Sequence, residues 1–449
     1  MIRYHARWVV PVSSPPIAGG VVAVEGERIA YAGPLDSAPP GDDEQLGDVV
    51  LLPGLVNAHC HLELTAMRGF LEDLDFRRWI LRLTAARRAV LDRDALLDSA
   101  RYGLAEGVRA GITTYADTCE SGVVMQAMRE AGVRGVMYQE VFGPDPAQCE
   151  ESSRGLREKI SALRYLETPL VRVGVSPHAP YTVSDDLFRA TASLARELGL
   201  PMAIHIAESA LEHELVVSGG GAFAEGLRRR GIPVSRRAAS PIQLLAGLDV
   251  LGARPLLIHC VRVDERDIGA IAAANCGVAH CPASNAKLGH GVAPVDELRA
   301  AGVAVGLGSD SMASNNRMDL LEEARLALLA QRVRRGSHET PGAADVLEMA
   351  TIGGAAAIGL DSVIGTLESG KQADLAAFAL DRSRPTVDPV TAAVFSITGA
   401  SARFVAVAGR PLVRDGVSLA ATPSLENRME SLGRALAEWL ESGGELAGG

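Results

Sequence analysis

Eight short apolar runs, each followed by a stretch of helical periodicity, constrain this chain more than any other feature. They read "GLVNAHCH", "GITTYADT", "VRGVMYQEVF", "VRVGVSPHAP", "PMAIHIAES", "PLLIHC", "GVAHCP" and "VAVGLGSD". Between them lie amphipathic segments such as "DALLDSARYGLAEGVRAG", "SDDLFRATASLARELG" and "MDLLEEARLALLAQRVRR". Short apolar runs that alternate with helices predict an α/β fold, because parallel strands need helical crossovers and are covered on both faces.

Eight such units predict a (β/α)8 TIM-like barrel over residues 53–360, near the roughly 250 residues usual for that architecture plus insertions. The segment "GAADVLEMATIGGAAAIG" reads as its last helix. Both chain ends have β character: "VVAVEGERIAYAG" early, "LESGKQADLAAFAL" and "FVAVAGRPLVRDG" late. Residues 1–52 and 361–420 are therefore expected to pair into a small flanking β-sandwich, and residues 421–449 to form a C-terminal helix and tail.

A net charge of −11 without a long acidic block disfavours nucleic acid and anionic membranes as partners and reads as a solvated acidic surface. No run of 18 apolar residues occurs, and the N-terminus lacks the apolar core of a signal peptide, so a soluble cytoplasmic protein is expected. The six cysteines form no paired framework and read as reduced thiols.

Within the predicted strands, the polar residues fall at one end. In "NAHCHLEL", His59 and His61 are two residues apart, which in a strand points both imidazoles to the same face. Two converging imidazoles offer a divalent ion two ligands. His178, His205, His259, His280 and Asp310 also stand at predicted strand ends, with Glu208 just after His205. The C-terminal ends of barrel strands form the active face. Asp310 reads as a ligand rather than a turn residue, because four other polar groups face the same end. His280 reads equally well as a loop-holding residue, and His5, His213, His290 and His338 carry no functional signal.

Taken together, "PGLVNAHCH", "HIAES", "LLIHC", "HCPASNAKLGHGVAPV" and "GLGSDSMASNN" resemble the amidohydrolase superfamily, in its branch of purine and nucleoside deaminases and s-triazine hydrolases. The resemblance implies that His59, His61, His205 and Asp310 bind one divalent ion, zinc first and iron second, with an open position for water. It further implies that Glu208 protonates the ring nitrogen beside the attacked carbon, that His259 stabilises the developing oxyanion, and that Asp310 carries the water's proton to the leaving ammonia. Burial of Glu208 is expected to raise its pKa towards neutrality. A homodimer is the expected assembly.

Lysine usage bears on the metal count. Relatives with two metals commonly bridge them by a carboxylated lysine at the end of strand four. Here that end reads "SPHAPY", and the only lysines are Lys159, Lys287 and Lys371, so one metal is expected.

"HCHLEL" followed by "FRRWI" is similar to the aminodeoxyfutalosine deaminases of menaquinone synthesis. That likeness implies Glu63 and His178 at the substrate ribose or ring and Trp79 in the pocket wall. It also makes Arg68, Arg82 and Arg154 candidates for an anionic substituent. The expected reaction is hydrolytic deamination of a 6-aminopurine nucleoside. Guanine, pterin or cytosine deamination and s-triazine hydrolysis are alternatives, as is a metal-free structural homologue.

Overall fold

A computed structural model describes residues 1–397, 399, 401–418 and 423–444. Parts of the expected flanking domain and C-terminal tail, residues 419–422 and 445–449, lie outside the described residues.

The eight apolar runs are eight parallel strands: β1 (Leu55–Cys60), β2 (Ile112–Cys119), β3 (Arg134–Val141), β4 (Val171–Pro177), β5 (Ala203–Ile206), β6 (Leu256–His259), β7 (Val278–His280) and β8 (Val305–Leu307). They pair in chain order as two sets of four. Parallel bridges close the ring on both sides, Val175 with Met202 between β4 and β5, and Cys60 with Asp310 between β1 and the end of β8. The result is a (β/α)8 barrel.

Its interior is packed with small and branched side chains, among them Val56, Ala58, Ala116, Val136, Ala203, Ile258 and Ala279. A second, larger apolar layer joins the outer faces of the strands to the helices, including Arg93–Arg109, Asp185–Leu198 and Leu320–Arg335. Each of these helices begins at an Asp or Ser whose side chain accepts a backbone N–H of the first turn.

The single helix expected at residues 342–359 is two, Ala343–Met349 and Ile352–Ala357. The break has a tertiary cause: the Ala350 carbonyl accepts the Val56 amide of β1 at 2.9 Å. Beyond the break, Gly353 and Gly354 lie against β8 and β1 so closely that a Cβ on Gly353 would collide with the Val305 carbonyl and one on Gly354 would crowd Val56.

Outside the barrel, strands Ile2–His5, Gly20–Glu25, Arg28–Pro34 and Asp42–Gln45 form one sheet. A second, seven-stranded sheet joins N-terminal strands to C-terminal ones, with Val49–Pro53 running antiparallel to Leu375–Ala379. Tyr4, Val22, Ile29, Leu51, Leu375 and Phe404 form a core common to the two sheets. A buried two-pronged ion pair, Arg134 with Asp374 at 2.9 and 3.0 Å, ties this region to the start of β3. The C-terminal helix spans Pro423–Glu441. No described helix is long and apolar enough to cross a membrane. All six cysteines are free thiols, five of them buried.

Candidate metal centre and active site

The C-terminal ends of the strands carry backbone that L residues rarely adopt. Ala207, His259, Cys260 and Asp310 all have positive φ, from 47° to 78°. Each such turn costs on the order of 1–3 kcal/mol and persists only where its surroundings hold it. Here the surroundings are polar and specific. The buried Glu212 carboxylate accepts the amides of Ala207 at 2.8 Å and Glu208 at 2.9 Å, which fixes the turn presenting Glu208. Burial pushes the Glu212 carboxyl up to about 8, against those hydrogen bonds.

His59, His61 and His205 converge, as do His59, His259 and Asp310, each trio with ligand atoms within 4.8 Å of one another. His61 Nε2 lies 3.3 Å from His205 Nε2, and Asp310 Oδ1 lies 3.3 Å from His59 Nε2 and 3.7 Å from His61 Nε2. The outer contacts set the ring orientations. His61 Nδ1 donates to the Thr118 carbonyl at 3.0 Å, and His259 Nδ1 donates to Asn285 Oδ1 at 3.0 Å, so each Nε2 is left as the inward nitrogen. Ser284 and Ser314 donate to Asp310 Oδ2 at 2.5 and 3.1 Å.

Both ring nitrogens of fully buried His59, and Nδ1 of His205, have no hydrogen-bond partner. Buried imidazoles without partners are disfavoured in an ordinary core, and three imidazoles with a carboxylate are a donor set for a divalent ion. The residues fit one. Burial pushes the His59 imidazole down to about 4 and lowers His61 and His205 as well, so all three are neutral, as ligation requires. Burial opposes ionisation of Asp310, but the His59 imidazole 3.3 Å away and the other nearby histidines hold its carboxyl well below the usual range.

Glu208 departs from the sequence expectation. Burial does raise its pKa, but His259, with Nε2 at 3.6 Å, and His290, with Nε2 at 3.3 Å, outweigh burial and bring it below the ordinary value. Nothing local in the sequence marks His290. Its partner lies 82 positions away in the chain, and no local pattern announces such a contact.

A cavity of about 600 Å³ opens onto this cluster. Trp79 and His178 line it, with Phe76, Phe142 and Tyr181 as further aromatic wall. The His178 ring lies 4.8 Å from that of His205, and its Nδ1 is 2.8 Å from Thr182 Oγ1. Burial pushes the His178 imidazole down to about 3. Glu63 also lines the cavity, yet its carboxylate is filled from within: Arg87 and the Glu120 amide donate to Oε1, and Cys119 and both donors of Ser121 donate to Oε2. The arginines at the cavity are Arg87, Arg88 and Arg230; Arg68, Arg82 and Arg154 are not among its lining residues. Arg68 instead pairs with Glu106 on the outside. His280 stays apart from these groups, buried, with no partner for either ring nitrogen, and burial pushes it down to about 3.

The chain matches the amidohydrolase family over residues 50–412, and it belongs to that family. More particularly, it is 34% identical to a 5-methylthioadenosine/S-adenosylhomocysteine deaminase of Moorella thermoacetica, over 91% of this chain and 93% of that one. It is also 34% identical to a 5'-deoxyadenosine deaminase of Methanothermobacter thermautotrophicus, over 90% of this chain and 93% of that one. Among solved structures, an adenosine deaminase from Xanthomonas campestris with bound zinc superimposes with a TM-score of 0.87 at 27% identity, covering 97% of this chain and 98% of that one. Atrazine chlorohydrolase from Arthrobacter aurescens has the same fold, with a TM-score of 0.82 at 24% identity.

Proposed function

We propose that this protein is a metal-dependent hydrolytic deaminase of 6-aminopurine nucleosides bearing a substituent at the 5' position. The observation that carries the reading is a cavity lined by His61, His205, Asp310, Glu208 and His259, with the buried His59 converging on the same ligand atoms. The names of the relatives at 34% identity support the adenosine-type substrate, and the zinc in the Xanthomonas campestris neighbour supports zinc as the ion. The overall reaction replaces the 6-amino group by oxygen: one water is consumed and one ammonia released.

His59, His61, His205 and Asp310 would hold the ion. When bound, it supplies Lewis acidity and acidifies water, whose pKa falls from about 15.7 towards 7 at such sites. Glu208 delivers a proton to the ring nitrogen next to the attacked carbon, which draws electrons away from C6 as water adds, and takes back the second water proton from the C6 hydroxyl as the carbonyl forms. His259, aligned by Asn285, stands beside the oxygen on which negative charge develops. Asp310, kept ionised by its histidine neighbours, accepts a proton from the attacking water and passes it to the amine as the C–N bond breaks. Trp79 and His178 flank the ring and sugar, while Glu63 acts through Arg87 and the 119–121 turn instead of through the substrate.

On this reading the two outer sheets form a single β-sandwich domain built from the described residues of both chain ends, with residues 53–360 as the catalytic barrel.

Ammonia release by purified metal-loaded protein tests the function. The panel comprises 5'-deoxyadenosine, 5-methylthioadenosine, S-adenosylhomocysteine, aminodeoxyfutalosine, adenine, guanine, cytosine and an amino-s-triazine. Adenosine-type nucleosides are expected to exceed all free bases in kcat/KM, because binding of the remote sugar is used at the transition state. Preference for a free base or the triazine rejects the proposal.

A further inference from the structure

Two carboxylates on one wall of the cavity differ in what they have left to offer. Glu63 accepts from five donors and has no free lone pair directed at a ligand. Glu140, at the end of β3, is 7% exposed, lines the same cavity, and has a buried Oε1 with no hydrogen-bond partner. A buried acceptor without a donor is disfavoured unless a ligand completes it. The wall around it belongs to the substrate cavity, with Phe142, Pro144, His178 and Thr182 alongside.

The position in the barrel limits which donor can arrive. Glu208, His259 and Asp310 follow β5, β6 and β8, and the 6-amino group must face them to leave. Glu140 and His178 follow β3 and β4, beside His205 at the end of β5 and across the ring of strands from Asp310. A purine lying between the two sides with C6 at the first directs its sugar to the second. The remaining donors on a 6-aminopurine ribonucleoside are the ribose hydroxyls.

Resting on the adenosine-type reading above, we propose that Glu140 is a substrate-binding residue that accepts a hydrogen bond from a ribose hydroxyl and makes the enzyme selective for ribonucleosides. A site built to pair a substrate hydroxyl discriminates strongly against analogues lacking it, since the protein group is then stranded. The same residue also admits a metal reading, because Glu140, His178 and His205 offer ligand atoms within 4.8 Å of one another. His205 is already among the ligands of the first ion, and the Thr182 contact engages His178, so the sugar is the better match.

The test is steady-state deamination of adenosine, 2'-deoxyadenosine and 3'-deoxyadenosine by wild type, Glu140→Ala and Glu140→Gln, with elemental analysis of each protein. Burial and the neighbouring Glu63, Glu120 and Asp117 hold the Glu140 carboxyl well above the usual range, so Glu140→Ala is expected to lower kcat/KM for adenosine about 10-fold, the scale of a hydrogen bond to an uncharged group. For the analogue lacking the contacted hydroxyl the loss is expected to stay within about threefold, since nothing remains to be lost there. Glu140→Gln keeps an acceptor oxygen of similar shape and should recover part of the adenosine rate, and all three proteins should hold the same metal content. Equal losses on adenosine and both deoxy analogues overturn the ribose contact, and so does a second equivalent of metal that disappears in Glu140→Ala. Wild type that deaminates no adenosine-type compound rejects the parent reading together with this one. Wild type that is active but indifferent to both hydroxyls rejects the ribose contact alone.

Discussion

His290 Nε2 stands 3.3 Å from Glu208 Oε1, and the edge of the same imidazole packs on Phe76 with ring centroids 4.5 Å apart. The contact places the His290 ring between Phe76 of the cavity wall and the proposed proton donor. It also lowers the Glu208 pKa, with His259 as the larger influence. Removing His290 should therefore raise that pKa. Activity that needs protonated Glu208 should then persist to higher pH in His290→Phe, which keeps the packing on Phe76. A pH profile of kcat/KM that superimposes on the wild-type one rejects the coupling.

Glu208→Gln retains shape and hydrogen bonding but has no carboxyl proton to give. Metal content should stay at the wild-type level while kcat falls by about 10² or more, the scale of general acid–base catalysis. Near-normal turnover in a fully loaded variant would remove Glu208 from the mechanism.

The ligand set predicts one equivalent of divalent metal per chain. The end of β4 supplies His178 where a bridging lysine would stand, and the chain's three lysines lie elsewhere. Substituting His59 by Ala or Asp310 by Asn should remove both metal and activity. Two equivalents in an active wild-type preparation, measured by elemental analysis, contradict the single-ion site.

His280 makes a stability prediction that does not involve the metal ligands. Burial pushes its folded pKa down to about 3, below the ordinary imidazole value of about 6.5. Below about pH 6.5 the unfolded chain takes up a proton that the folded chain refuses, so stability present above that pH is lost as pH falls towards 3. The slope from one such group is about 1.4 kcal/mol per pH unit. Chemical denaturation at pH 7, 6 and 5 should show a shallower decline for His280→Gln than for wild type. Parallel slopes would mean that His280 is not buried neutral.

By itself the sequence determined the strands and the end at which their chemistry stands. Period, apolar content and alternation with helices are local properties, and each of the eight runs became a barrel strand. His59, His61, His205, His259 and Asp310 were legible for the same reason: a residue at the end of a barrel strand is on the active face whatever its distant neighbours do. Tertiary structure decided how much freedom each polar group retains. Glu63 and Glu140 look alike in the chain, but Arg87 and the 119–121 turn fill the acceptors of one and leave an oxygen of the other bare. Burial of Glu208 was foreseeable, whereas the sign of its pKa shift followed from two histidines brought beside it by other strand ends and loops. The break at Ala350 came from a β1 amide nearly 300 positions away, at Val56. A hydrogen bond's strength depends on distances of tenths of an ångström between groups far apart in sequence, so their pairing is set only when the barrel closes.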